Sequence, residues 1–333
     1  MEKRLILAIV LSFLVLFGYQ ALFNKPDKTP PKPEVPAASA PLTPVPGTAG
    51  AMQEQQKAVA PEAKPAPALP PQDLSAVAGR AESDIVVDTP LYRAVWSNKG
   101  GVLKSWKLKT YKNSLKEDLE IVPALAAEIG RFPFSLGLDD TALAALLNSS
   151  LFETSGAGLE LAAGAKGEIR FVFSDGASVR AEKIYGFTGG TYTLTTEVRV
   201  WKNGQAVTPS VLWGPGISNL TPAEAKQSYS ATRGSAVYTG GKVFRMNERK
   251  FKPGANTFNF VDWAAYEENY FVALFLLPPQ KGQAAFLQEA GETAGGRVPA
   301  YFVYATEPTQ AFIGPKDVDA LKALGRDTKK VIN

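Results

Sequence analysis

From Asp84 onward the chain is a succession of short runs in which apolar and polar positions alternate. TYTLTTEVRVW (191–201) is the clearest, with Tyr192, Leu194, Thr196, Val198 and Val200 on one face. DIVVD, LYRAVWSN, GVLKSWKLKTY, EIRFVFS, SVRAEKIY, AVYTG, KVFRM and TFNFVD share its texture, rich in β-branched and aromatic residues and punctuated by Gly, Asn, Asp and Pro. A period of two buries one face of a strand and wets the other, which is the pattern of antiparallel sheets packed face to face. About fifteen such strands exceed the roughly seven of an immunoglobulin-like unit. No internal repeat divides them, so the pattern predicts a mainly β fold, one large antiparallel sandwich.

Several stretches depart from the alternation. Tyr270 to Leu277 (YFVALFLL) is apolar throughout. It is too short to span a bilayer and reads as a central strand buried on both faces, the alternative being the floor of an apolar groove for a peptide. Trp213, Trp263 and Tyr266 read as core or rim packing, and otherwise as candidate groove aromatics. DDTALAALLN (139–148) is a short helix with an acidic start. Gly100-Gly101, between two alternating strands, predicts a hairpin turn with positive φ. GPGISN (214–219) lacks the third glycine and the helix of a dinucleotide loop and reads as a turn.

The last element is FIGPKDVDALKALG (312–325). Gly314 is expected as N-cap, Pro315 at the first helical position and Asp317 in the first turn, with Gly325 ending the helix. Val318, Leu321 and Leu324 make an apolar stripe at spacing three. That stripe needs a surface, either the sandwich itself or the head of a following segment.

At the other end, Leu5 to Phe23 carries no charge. Nineteen helical residues span about 28 Å, the thickness of a bilayer core. No small-x-small cleavage site follows, so residues 1–24 are expected to be an uncleaved transmembrane anchor. Lys3 and Arg4 on one side, and Lys25, Lys28 and Lys32 on the other, leave its orientation undecided by charge. The short amino-terminal flank favours a cytoplasmic terminus. Residues 25–80 form a Pro/Ala-rich linker; Pro26 to Pro71 alone holds 13 of the 25 prolines and no aromatic residue, so it cannot bury enough to fold. The sandwich is then expected over 81–313 and a connecting helix over 314–333.

Composition narrows the chemistry. The chain has no cysteine and no histidine, which excludes a Ser-His-Asp triad, a Cys-His pair and an ordinary zinc site. The adjacent carboxylates Asp139-Asp140 and Glu267-Glu268 point apart and do not form an acid–base pair. No catalytic residue, metal ligand or cofactor is expected. The net charge is +4, and the lysines from Lys99 to Lys116 and the basic residues from Lys242 to Lys252 are spaced as strand faces and edges rather than as a nucleic-acid footprint.

Taken in order, the anchor and Pro-rich tether, DTPLYRAVWSNKGGVLKSWKLKTY, WAAYEENYFVALFLLP and FIGPKDVDALKALG resemble the amino-terminal part of the YidC family of bacterial membrane protein insertases. The resemblance covers the whole chain. It implies a mutarotase-like β-supersandwich in the periplasm, an amino terminus in the cytoplasm, and a closing helix that leads toward a membrane core. In the family that core inserts and helps fold inner-membrane proteins through a hydrophilic groove, with and without the Sec translocon. No core helix lies within residues 1–333, so no groove residue carries over and this part is expected to be an accessory domain, not an enzyme. The implied partners are the inner membrane, nascent membrane proteins engaged by the core, and SecF with the Sec translocon; Pro315, Val318, Leu321 and Leu324 are the candidate contacts. The competing expectation is a membrane-anchored periplasmic sandwich that binds carbohydrate or peptide, with Trp213 stacking on a sugar ring. Mutarotase-type chemistry uses histidines, which this chain lacks.

Overall fold

The computed structural model describes residues 75–332 apart from 157, 218–232 and 252–253. The expected anchor and almost all of the linker lie outside the described residues. Among the described residues, no helix is long and apolar enough to cross a membrane.

In chain order the first elements are β1 (Ala76–Val77), β2 (Asp84–Asp88), β3 (Tyr92–Ser97), β4 (Val102–Lys112), β5 (Asp118–Glu120), α1 (Leu125–Glu128), β6 (Leu136–Gly137), α2 (Thr141–Ser149), β7 (Glu153–Thr154) and β8 (Gly158–Glu160). Next come β9 (Lys166–Asp175), β10 (Val179–Thr188), β11 (Thr193–Lys202), β12 (Gln205–Val207) and β13 (Ser210–Trp213). The rest are β14 (Gly234–Thr239), β15 (Lys242–Asn247), β16 (Gly254–Asn259), β17 (Val261–Glu267), β18 (Phe271–Leu276), β19 (Gln283–Thr293), β20 (Gly296–Thr306), β21 (Gln310–Pro315) and α3 (Val318–Ala323).

These strands make three sheets. The largest has eleven strands in the order β1-β9-β10-β11-β21-β18-β17-β14-β15, with β12 beside β11 and β7 beside β9. Two five-stranded sheets run β16-β19-β20-β13-β6 and β5-β4-β3-β2-β8. Among the described residues, only β2–β8 is a parallel ladder. One core cluster takes side chains from all three sheets, including Trp96 and Trp106, Phe171 and Tyr185, and Phe286 and Val303. The mainly β, antiparallel architecture is therefore as the alternation predicts.

The strand number is higher than expected, twenty-one among the described residues, and the reason is specific. Six of them (β1, β5, β6, β7, β8 and β12) are only two or three residues long, too short to show a period. All six lie at sheet edges or beside the main path, where short strands leave little unpaired backbone for a stray chain to join. The two longer edges, β15 and β16, lie beside each other, with the Phe244 and Phe258 rings 6.2 Å apart.

Local expectations hold at three further places. Tyr192 to Val200 alternate as read, with Leu194, Thr196, Val198 and Val200 buried. Asp140 caps α2, its carboxylate accepting from the Leu143 N–H at 3.0 Å. Gly100 and Gly101 have φ of 73° and 57°. A turn is only part of what they do. A Cβ on Gly100 would sit 2.6 Å from the Asn148 carbonyl oxygen, and one on Gly101 would sit 3.1 Å from Lys183 Cδ.

Lys183, on β10, is completely buried. Its Nζ donates to the carbonyls of Gly100 at 2.6 Å and Phe134 at 2.9 Å, with Gly101 at 3.4 Å. The lysine thus ties the middle of the large sheet to the β3–β4 turn and to the loop before β6. Burial pulls its ammonium down from 10.5 to about 7. Between these values the unfolded chain binds a proton that the folded chain has released, so this group makes stability rise with pH across that window, by at most about 1.4 kcal/mol per pH unit. Urea unfolding of the wild type and of Lys183→Met checks this. Between about pH 7.5 and about pH 9.5 the wild type should gain some 2–3 kcal/mol more than the variant; equal gains would show that Lys183 does not titrate there.

Candidate functional site: the closing segment and its seat

On the strands that form the middle of the large sheet, both faces are apolar. In β17, Ala264 and Tyr266 join the main core while Trp263 and Ala265 point the other way. In β18 the inward set is Phe271, Ala273 and Phe275, and the outward set is Val272, Leu274 and Leu276. Ala236 and Tyr238 of β14 and Phe312 of β21 add to the outward set. Leu321 and Val331 complete this second cluster, with Ala320, Leu324 and Ile332 packed against it. The closing segment of the chain therefore covers the outer face of its own sheet. This accounts for the apolar run from Phe271 to Leu277, since all six residues of β18 are buried; Tyr270, expected in the same buried strand, lies just before it and is exposed.

The helix in this segment starts later than the sequence suggests. Gly314 and Pro315 are not its cap and first residue; they are the last two residues of β21, paired with Val272 and Phe271. Gly314 is required by a neighbour instead, since a Cβ there would lie 2.7 Å from Tyr192 Cγ. The N-cap is Asp317, whose Oδ1 accepts from the N–H groups of Asp319 at 3.0 Å and Ala320 at 2.8 Å. Strand pairing of β21 with β18 overrides the Gly-Pro opening, and Asp317, expected in the first turn, takes the cap instead. Gly325 follows the helix with φ 72° as expected, and Arg326 and Asp327 are also left-handed, at 49° and 55°. These three residues turn the chain into a 3₁₀ helix, Thr328–Ile332.

The apolar stripe is split by this start. Leu321 is fully buried and Leu324 partly buried, but Val318 is 44% exposed and faces away from the seat. Polar groups fasten the segment at both ends. Glu267, its side chain 3% exposed, accepts from Lys316 Nζ at 2.7 Å and from Arg245 Nε at 2.9 Å. The same Arg245 donates to the carbonyls of Lys330 at 2.9 Å and Val331 at 3.1 Å. Asp327 accepts from the Tyr238 hydroxyl at 2.7 Å and from Lys330 Nζ at 2.9 Å. These two donors hold its carboxyl below the usual carboxylate range. The Arg326 guanidinium donates to the Leu277 carbonyl.

The candidate residues thus fall into separate places. Trp263, Leu321 and Leu324 meet in the seat, which no spacing in the sequence brings together. Trp213 and Tyr266 belong to the main core. Trp213 Nε1 donates to the Gly216 carbonyl at 2.9 Å, and the Tyr266 hydroxyl donates to Glu248. All three aromatics expected as possible groove residues are interior, so none presents a ring to a ligand. A cleft of 690 Å³ does exist elsewhere, between α2, the α1–β6 loop and the start of β4. Arg131 forms part of its wall, paired with Glu289 and stacked 4.5 Å over the Phe302 ring. Its walls come from four distant parts of the chain, and no local sequence signal marks it. Among the described residues no group of three or more acidic side chains is placed to hold a metal.

An antiparallel β body that caps one face of its large sheet with its own carboxy-terminal segment is the class of protein this geometry defines. The family model of the YidC periplasmic domain matches residues 84–333, and the chain belongs to that family. It is 30% identical to the membrane protein insertase YidC of Geobacter sulfurreducens and 28% identical to that of Pelobacter propionicus, over its entire length and 60% of theirs. The chain therefore spans about three-fifths of these relatives. Among solved structures it is similar to a galactose mutarotase-like protein from Lactobacillus casei, with a TM-score of 0.45 and 9% identity over 70% of this chain and 100% of that one. It is also similar to YidC from Thermotoga maritima, with a TM-score of 0.35 and 13% identity over 77% of this chain and 56% of that one.

The seat makes a sharp stability prediction. Leu321→Ala empties a fully buried site and should cost about 2–5 kcal/mol, and Glu267→Ala, which leaves two cations without their carboxylate, about 3–5 kcal/mol. Val318→Ala should change stability by no more than about 0.5 kcal/mol. Urea unfolding of the three variants distinguishes this seat from one in which the whole stripe is engaged, where Val318→Ala would cost as much as Leu321→Ala.

Proposed function

We propose that the chain is the anchor and periplasmic domain of a YidC-type insertase of the bacterial inner membrane, in which it braces and docks rather than inserts. Residues 1–24 are the anchor, with a cytoplasmic terminus; residues 25–80 are the tether. The family match and the names of the relatives support the insertase setting. The observation that carries the bracing role is the seat: Leu321 and Val331 fully buried on the outer face, with Lys316 and Arg245 converging on Glu267. A segment held this way keeps a fixed direction relative to the sandwich. In this reading nascent inner-membrane proteins are engaged by a membrane core corresponding to the remaining length of the relatives. SecF and the Sec translocon are docking partners of the periplasmic body. Pro315, Leu321 and Leu324 act by setting the closing segment in place. The body contributes no catalytic group and needs no cofactor. A sugar-binding role loses its stacking platform, because Trp213 is interior.

The test is a chimera in which this chain replaces the matching part of the Geobacter sulfurreducens relative, in cells depleted of their own insertase. Insertion of a single-span reporter should fall several-fold when Leu321 and Leu324 are both changed to Ala. Lys183→Met, which disturbs the body away from the seat, should leave insertion near the level of the parent chimera. Equal loss in both variants would mean that insertion follows the overall stability of the body, and the bracing role would fall.

A further inference from the structure

Seven large apolar side chains are exposed among the described residues, and four of them gather at one end: Tyr111, Leu115, Tyr270 and Val318. The grouping follows from contacts around the start of the closing segment. The Tyr111 ring stands edge-on to Phe271, 5.3 Å between centroids. Phe271 pairs with Pro315, and the Tyr270 carbonyl accepts from the Lys316 N–H at 2.7 Å. Partial burial raises the Tyr111 hydroxyl pKa, and Tyr192 and Asp317 lie near enough to add to it. Leu115 is at the tip of the β4–β5 hairpin, which the Asn113 N–H closes on the Glu117 carbonyl at 2.9 Å. Phe260 lies at the opposite end of the sheet, just before β17, and Phe244 lies midway, paired with Val237 opposite Ala264. Val261, next to Phe260, and Glu267, at the Tyr270 end, bound the seven residues of β17, a rise of about 20 Å.

The β4–β5 hairpin is rich in lysine, while Asp317 and Asp319 flank Val318 beside it. Residues 107–118 carry Lys107, Lys109, Lys112 and Lys116 against Glu117 and Asp118. Lys112 pairs with Asp118 and Lys109 with Asp88, which leaves Lys107 and Lys116 exposed and without a side-chain partner. A protein interface centres on a contiguous buried patch. Here a single leucine at a hairpin tip stands with two exposed tyrosines and flanking lysines. Tyrosine and lysine are the residues that suit a membrane–water boundary, one by its amphipathic ring and the other by its charge and apolar stem.

We propose that this end of the sandwich rests on an anionic lipid bilayer, with Leu115, Tyr111 and Tyr270 entering the headgroup layer and Lys112 and Lys116 facing acidic headgroups. The proposal rests on the anchored reading for a membrane being at hand, but it assigns a surface that the bracing role does not need.

The sheets and both large core clusters lie within the compact unit Pro65–Asn333, so the test uses that unit, free of any anchor. Because the chain has no cysteine, Leu115→Cys and Phe260→Cys each give one labelling site for a polarity-sensitive fluorophore. The two positions are equally exposed, at 72% and 71%. With vesicles of phosphatidylcholine and about one-third phosphatidylglycerol, the label at 115 should shift to the blue and be quenched by lipid-borne nitroxides, weakening at high salt. The label at 260 should do neither. Lys112→Gln and Lys116→Gln should each weaken vesicle binding about fivefold. No response at 115, an equal response at 260, or a response at 115 only when a membrane protein is added to the vesicles would overturn the proposal. The last of these would assign the surface to a protein. None of these outcomes touches the insertion assay, which depends on Leu321 and Leu324.

Discussion

The large sheet has two faces to hide, and only one of them meets the core. Val272, Leu274 and Leu276 point away from the sandwich interior, as do Trp263 and Phe312. Left in water, such a surface would be a docking or aggregation site. Burying one large apolar side chain is worth about 1.5–3 kcal/mol, so covering a row of them is a strong requirement on the fold. The closing segment meets it with Leu321 and Val331. Its position therefore depends on the body's own need for burial.

Apolar cover alone has little direction, and the polar fastenings supply it. Glu267 sits at the end of β17 and receives Lys316 from the beginning of the segment and Arg245 from the edge strand β15. Arg245 also reaches the carbonyls of Lys330 and Val331 near the far end. A buried carboxylate facing two cations tolerates few arrangements, because any shift that loses one partner leaves a desolvated charge. Lys183 does a related job within the body, where one ammonium gathers the carbonyls of two loops that are far apart in sequence. In both places a single ionisable side chain fixes relative position that hydrophobic packing would leave loose.

Much of the fold was legible because long strands with one wet face write their period into the sequence, as at Leu194 to Val200. The run at 270–277 was also legible as a strand buried twice except at exposed Tyr270, though what lay on its second face was not. The six shortest strands carry no period and could not be seen. The helix start was misread for a physical reason: Gly-Pro is a favoured helix opening, but here Gly314 makes room for the Tyr192 ring and both residues pair with β18. Of the site, the sequence marked Val318, Leu321 and Leu324 as a stripe in need of a surface; Leu321 and Leu324 meet one and Val318 does not. It could not show that Trp263 is part of that surface, or that Glu267 answers to Lys316, 49 residues away. Such pairings depend on the order of strands in the sheet, which alternation does not encode.

The two-ended fastening bears on how the closing segment moves. A hinge would require a stretch that can swing while the rest stays put. Here the turn at Gly325 to Asp327 is pinned on both sides, by Arg326 on the Leu277 carbonyl and by Asp327 on Tyr238. Lifting α3 would uncover Leu321 together with Trp263 and Leu274, and lifting the 3₁₀ helix would uncover Val331 and strip Arg245 of two acceptors. These costs fall on one cluster and arise together, so partial release gains little conformational entropy for what it exposes. The segment therefore moves with the sheet as one body. Whatever force reaches Lys316 or Ile332 is passed to β17 and β18 rather than absorbed by a flexible joint, which is the mechanical property a brace requires.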